Sequence, residues 1–239
     1  MNDSATDVSN QLSPVDMQRQ IQASYDRISA LWDTHHTEIL GGKCGFSILG
    51  SKPVQNTPLM ILGLNPGFNS EDEKGDPHVQ RTWPDQSYFE HDQHKYKDRL
   101  ADLLDFDGQR NILADAVVAN FNFFKSNKLT GKHHLAWSQV PRELRRTLET
   151  ACLEELQNIL SVLNPKKILV LGMKAADAHL PGAQEQLCDA RGNWLIAKGH
   201  LWGRPAVVVK HPTGARWSSC DWDRAKQWFA DNGFSSCQA

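Results

Sequence analysis

Four short apolar segments, separated along the chain by segments with helical periodicity, most constrain how this sequence folds. The apolar segments are residues 58–63, the second half of 111–124, residues 167–172 and residues 205–210. Short buried strands that alternate with helices predict a parallel sheet covered by helices on both faces. We therefore expect an α/β fold, a three-layer α/β/α sandwich around a central, mainly parallel four-stranded sheet.

The helical segments have recognisable starts and ends. Ser13-Pro14 supplies an N-cap and a proline at the first helical position. Pro141 opens a second long helix, which Asn164-Pro165 ends. Further helices are predicted over residues 95–105, 173–180 and 221–232, and irregular chain over 68–91 and over 182–204, with a short strand near 194–197.

Length and composition predict one domain. The 239 residues, 40% hydrophobic and 23% charged, are ordinary for a globular chain with a full core. Residues 1–13 are polar and predict a disordered N-terminal tail, which leaves 14–239 as a single domain. No apolar run is long enough to span a bilayer, and the tail lacks the basic-then-apolar order of a signal peptide. We therefore expect a cytoplasmic monomer with no membrane contact.

Charge and motif content exclude several function classes. The formal net charge of −2 argues against tight non-specific DNA binding, although a local basic rim stays compatible with it. The five cysteines form no Cys-x-x-Cys pair, and His91 and His94 have no third ligand at a telling distance, so no metal is expected. Neither Gly-x-Gly-x-x-Gly nor Gly-Lys-[Ser/Thr] occurs, so no cofactor is expected.

Two polar motifs follow the first and the last predicted strand. They are Gly63-Leu64-Asn65-Pro66-Gly67 and His211-Pro212-Thr213-Gly214-Ala215-Arg216-Trp217-Ser218. In an open parallel sheet, the loops at the carboxyl ends of the strands form the ligand crevice. Asn65 and His211 are therefore expected to face one site. Taken alone, the first motif is also a plain turn signature, and a histidine can simply satisfy a loop carbonyl.

Together, Gly-x-Asn-Pro-Gly after a first strand and His-Pro-[Ser/Thr] after a last strand resemble the uracil-DNA glycosylase superfamily. The mismatch-specific and single-strand-selective branches look most similar, and the resemblance covers about residues 58–232. The acidic Glu71-Asp72-Glu73 and the presence of Thr213 where serine is commoner depart from the pattern. The resemblance implies a monofunctional DNA glycosylase that hydrolyses the N-glycosidic bond of uracil or a related damaged pyrimidine, with DNA as partner and without a cofactor.

The resemblance also implies roles for individual residues. Asn65 would position the attacking water, and His211 would stabilise charge on uracil O2. Asn120 or Asn122 would read the base edge. Period-2 geometry puts both on one face, and Asn120 is slightly favoured. Gly63, Leu64, Pro66 and Gly67 would line the pocket with Phe68 as its aromatic face, and Lys125, Lys128, Thr213, Gly214, Arg216 and Trp217 would contact DNA.

A second function class stays open. A glycosylase-like domain that binds nucleic acid or a nucleotide without cleaving it would suit the near-neutral charge and the acidic residues after Gly67. An unrelated hydrolase ranks last, because the sequence has no Gly-x-Ser-x-Gly elbow.

Overall fold

The computed structural model describes residues 12–67, 76–90, 95–104, 111–213 and 215–234. Phe68, Gly214 and the predicted tail up to residue 11 lie outside these ranges. The described helices are α1 (Pro14–His35), α2 (Lys95–Leu104), α3 (Asn111–Ala114), α4 (Arg142–Leu163), α5 (Met173–His179) and α6 (Ser219–Asp231). The described strands are β1 (Met60–Gly63), β2 (Val117–Asn120), β3 (Ile168–Leu171), β4 (Gln184–Cys188), β5 (Trp194–Leu201) and β6 (Arg204–Val209).

The two long helices begin where the sequence predicts. The Ser13 hydroxyl accepts a hydrogen bond from the backbone N–H of Asp16 at 3.1 Å, which caps α1. Pro141 is the N-cap residue of α4, and Asn164 ends that helix in the left-handed conformation with φ 45°. Local capping residues therefore set these boundaries. No helix within the described ranges is both long and apolar enough to cross a membrane.

The sheet has six strands in the order β2-β1-β3-β6-β5-β4. The four predicted strands β2, β1, β3 and β6 are parallel, whereas β5 and β4 continue the sheet in antiparallel fashion. The prediction of a four-stranded sheet was therefore wrong in number, because residues 182–204 are largely strand. The strand β4 escapes pattern analysis because its first three residues, Gln184 to Gln186, are polar and exposed, and backbone pairing with β5 holds it in the sheet.

Helices cover both faces of the sheet, as the three-layer prediction requires. Met60 and Leu62 of β1 belong to a core shared with α1 and α4. Ile61, which points the other way, belongs to a second core shared with α2 and α6. The alternation along β1 thus assigns each of these side chains to one of the two helical layers.

Candidate active site at the carboxyl edge of the sheet

The predicted site residues follow parallel strands whose last residues lie side by side at one edge of the sheet. The last residues of β1 and β2, Gly63 and Asn120, lie opposite each other, as do the last residues of β3 and β6. The Cβ of His211 lies 3.9 Å from where a Cβ on Gly172, the residue after β3, would be. His211 therefore leans over the end of β3, which is the strand next to β1.

A close approach between Gly63 and Asn120 sets the position of the Asn120 side chain. A Cβ on Gly63 would overlap Asn120 Oδ1. The backbone N–H of Phe121 donates to the Gly63 carbonyl at 2.9 Å and continues the β1–β2 pairing past Asn120. The Asn120 amide thus occupies space that only glycine leaves at position 63, directly beside the loop that carries Asn65.

The side chain of Asn65 is oriented by Ser126. Asn65 Nδ2 donates to Ser126 Oγ at 3.0 Å, to the Ser126 carbonyl at 3.3 Å and to the Pro66 carbonyl at 3.0 Å. Since a carbonyl only accepts, the NH₂ end of the amide must face Ser126. Ser126 is buried, with 1% of its surface exposed. The sequence analysis missed this residue, because a serine in a polar loop gives no signal of such a role.

The ring and the backbone of His211 are held by residues of its own loop. The backbone N–H of Thr213 donates to His211 Nδ1 at 3.3 Å, and Trp217 Nε1 donates to the His211 carbonyl at 3.1 Å. Burial lowers the pKa of His211 below its ordinary value of 6.5, which favours the neutral ring at pH 7. An accepting Nδ1 carries no proton, so the proton of the neutral ring is on Nε2.

The Trp217 side chain packs against α6 and donates a hydrogen bond within its own loop. Its ring stands edge-on to Trp222 at a centroid distance of 5.1 Å, and Lys210 Nζ lies 5.3 Å from its centroid. Its N–H is used by the His211 carbonyl. The Trp217 side chain therefore anchors the loop that presents His211, and its contact with DNA stays a prediction.

Asn120 and Asn122 do not share a face, contrary to the period-2 prediction. Asn120 lies beside Gly63 and two residues after Val118, which belongs to the core shared with α2 and α6, so alternation along β2 puts Asn120 on that face. The Oδ1 of Asn122 accepts from the Phe124 N–H at 3.1 Å and from the thiol of Cys152 on α4 at 3.7 Å. The strand ends at Asn120 and the chain bends at residues 121 and 122, so the alternation stops there. Asn120, and not Asn122, therefore adjoins Gly63.

The other predicted residues lie on the loops that follow β1, β2 and β6. Gly67, Lys128, Thr213 and Arg216 are exposed, and Leu64, Pro66 and Lys125 are partly buried. Phe68 and Gly214 lie outside the described residues. The part of the chain that the structure describes contains no group of three or more His, Cys, Asp or Glu side chains placed to hold a metal ion.

Comparison with known proteins agrees with the motif resemblance. Residues 50–231 match the family model described as the Uracil DNA glycosylase superfamily. The match spans all six described strands and includes Gly63, Asn65, Asn120 and His211. A search of curated proteins finds no match to this chain.

Replacing Gly63 tests the close approach. In Gly63→Ala the new methyl group must displace the Asn120 amide or part β1 from β2, so we expect a loss of about 1–3 kcal/mol in the free energy of unfolding. Gly67→Ala is the matched control, because a Cβ there meets no described atom within 4 Å, and its cost should stay within about 0.5 kcal/mol. Equal stability of the two variants in denaturant titrations would contradict the proposed contact.

The protonation of His211 gives a second prediction. Because folding lowers its pKa, the unfolded chain takes up a proton near pH 6.5 before the folded chain does. The free energy of unfolding should therefore fall more steeply below pH 6.5 in the wild type than in His211→Gln. Nitrogen-15 NMR should show the Nε2–H tautomer at pH 7, and an Nδ1–H tautomer would refute the assignment.

Proposed function

This chain belongs to the uracil DNA glycosylase superfamily, and on that premise we propose that it is a monofunctional DNA glycosylase. The proposed reaction is hydrolysis of the N-glycosidic bond of uracil or a related damaged pyrimidine in DNA. The observation that carries the proposal is the arrangement at one sheet edge: the Asn120 amide lies beside Gly63, and His211, whose pKa is lowered by burial, lies over the end of the strand β3 next to β1.

In the proposed reaction, His211 stabilises the leaving group. A flipped uracil departs as an anion, with negative charge on O2. A ring N–H at Nε2 would donate to that oxygen, and a donor fixed in advance at a half-buried position costs little reorganisation. The bond from Thr213 to Nδ1 supports this role, since it leaves the proton on the opposite nitrogen.

Asn65 is proposed to position the attacking water. Its NH₂ end is occupied by Ser126 and Pro66, so Oδ1 is the end with which it would accept a hydrogen bond from water. An amide is not a useful general base at neutral pH, so the rate should depend mainly on stabilisation of the leaving group. This division of roles predicts modest turnover.

Asn120 is proposed to read the base. An asparagine amide can accept from uracil N3–H and donate to O4, whereas cytosine presents the reverse pattern. The space left by Gly63 supports Asn120 over Asn122, because it brings this amide to the loop of Asn65. Leu64, Pro66, Gly67 and Phe68 would complete the base pocket.

The loops at the same edge are proposed to contact the DNA backbone. Lys128 and Arg216 supply cations there, and Thr213 adds an exposed hydroxyl group. Together with Lys125 and Gly214 they would form a phosphate rim around the flipped nucleotide. Affinity for DNA should then fall as the salt concentration rises.

The direct test offers the purified protein single- and double-stranded oligonucleotides that contain uracil. We expect abasic sites, detected as alkali-labile cleavage. His211→Ala should lower the single-turnover rate by about 10²–10³-fold, because it removes a charge-stabilising donor. Asn65→Ala should lower it by about 10²-fold through misplaced water.

The matched control is His200→Ala. His200 is exposed and lies at the opposite edge of the sheet, where it pairs with Pro205, so its loss should leave the rate unchanged. If the wild type releases no base from DNA that contains uracil, hydroxymethyluracil or a mismatched pair, the proposed enzymatic activity is contradicted.

The same assay separates the alternative, a glycosylase-like domain that binds without catalysis. The net charge of −2 and the acidic residues 71–73 favour it, since both oppose a strong phosphate-binding field. Salt-dependent binding to oligonucleotides without any abasic product would support this alternative.

A further inference from the structure

A cavity at the carboxyl edge of the sheet lies on the side that α4 covers. Its volume is about 510 Å³, and the lining includes Leu64, Asn122, Trp137, Arg145, Glu149 and His179. We call it the α4 pocket. It is separate from the space beside Gly63 and Asn120, because those residues face the layer of α2 and α6.

The buried amide of Asn122 gives the α4 pocket an unused donor. Asn122 is only 6% exposed, and its Nδ2 has no hydrogen-bond partner in the described part of the protein. Its Oδ1 is occupied by Phe124 N–H and the Cys152 thiol. A buried N–H₂ group without an acceptor is unfavourable, so an acceptor oxygen supplied by a ligand would stabilise it.

A carboxylate and a cation lie on the adjoining turns of α4. Glu149 Oε1 accepts from Trp137 Nε1 at 2.7 Å, which fixes the carboxylate. Glu149 is one helical turn before Cys152, the neighbour of Asn122, so the donor and the carboxylate belong to one wall. Arg145, one turn earlier on the same helix, brings a positive charge to this lining.

We propose that the α4 pocket binds a second nucleobase, one that presents a carbonyl oxygen beside a ring N–H. The carbonyl would accept from Asn122 Nδ2, and the ring N–H would donate to Glu149. Guanine, thymine and uracil have this edge. Adenine has no carbonyl, and the pairing nitrogen of cytosine carries no hydrogen.

The α4 pocket lies where it could hold a nucleotide close to the flipped nucleotide of the proposed reaction. Gly63 adjoins Asn120, the proposed reader of the base, and the next residue, Leu64, lines the α4 pocket. The loop from Gly63 to Gly67 therefore separates the two spaces. The choice of a nucleobase as ligand rests on the proposed function, whereas the donor and acceptor pattern does not.

Calorimetric titration of the full chain with dGMP and dAMP tests the proposal. We expect dGMP to bind at least about tenfold more tightly, the effect of one hydrogen bond to a charged group. Glu149→Gln should abolish this preference, because the glutamine oxygen still accepts from Trp137 while its NH₂ opposes the ring N–H. Equal affinities in the wild type, or no binding of dGMP at millimolar concentration, would overturn the proposal.

Two control variants show whether the effect of Glu149→Gln is specific to the α4 pocket. Glu143→Gln changes an exposed carboxylate on the first turn of the same helix and should keep the preference for dGMP. His211→Ala should also keep it, even though excision is lost, so failure of one proposal does not imply failure of the other. A preference for dGMP that survives Glu149→Gln would refute the site.

NMR gives a readout that does not depend on variants. Binding of dGMP should shift the side-chain NH₂ resonances of Asn122, and unchanged resonances at saturation would contradict the proposed contact.

A competition experiment then identifies whether the bound base belongs to a free nucleotide or to a nucleic-acid strand. Displacement of dGMP by a single-stranded oligonucleotide containing guanine, but not by one containing only adenine, would identify a base within a strand, and retention of dGMP would identify a free nucleotide.

Discussion

The parallel pairing of β1 with β2 is the constraint on which the rest of the site depends. It sets Asn120 opposite Gly63, where the missing Cβ leaves room for the asparagine amide. The same registers carry across β3 to β6, so the loops with Asn65 and His211 start at one level. Backbone hydrogen bonds within the sheet thus decide which side chains meet at the edge. A shift of one residue would turn Asn120 to the opposite face.

Contacts within a single loop hold His211 in the orientation that its proposed role as a neutral donor requires. Thr213 occupies one ring nitrogen, Trp217 holds the backbone, and burial disfavours the charged ring. Asn65 is oriented from a different loop, by Ser126. The two proposed catalytic side chains are therefore supported independently.

The sequence predicted those features that depend on local chemistry. Capping residues located the ends of α1 and α4, and apolar runs located the four parallel strands. The exposed strand Gln184–Cys188 was missed, because its pairing is made by backbone atoms and leaves no apolar pattern. The separation of Asn120 from Asn122 was also missed, since a bend at the end of a strand overrides period-2 alternation. The role of Ser126 depends on folding alone, because it lies 61 residues from Asn65.

The most direct test of the account is a crystal structure of the protein with an oligonucleotide that carries a non-cleavable uracil nucleotide. The account predicts a flipped uracil whose N3–H and O4 contact the Asn120 amide and whose O2 lies within hydrogen-bond distance of His211 Nε2. A uracil that stays stacked in the DNA, or that contacts neither side chain, would contradict it.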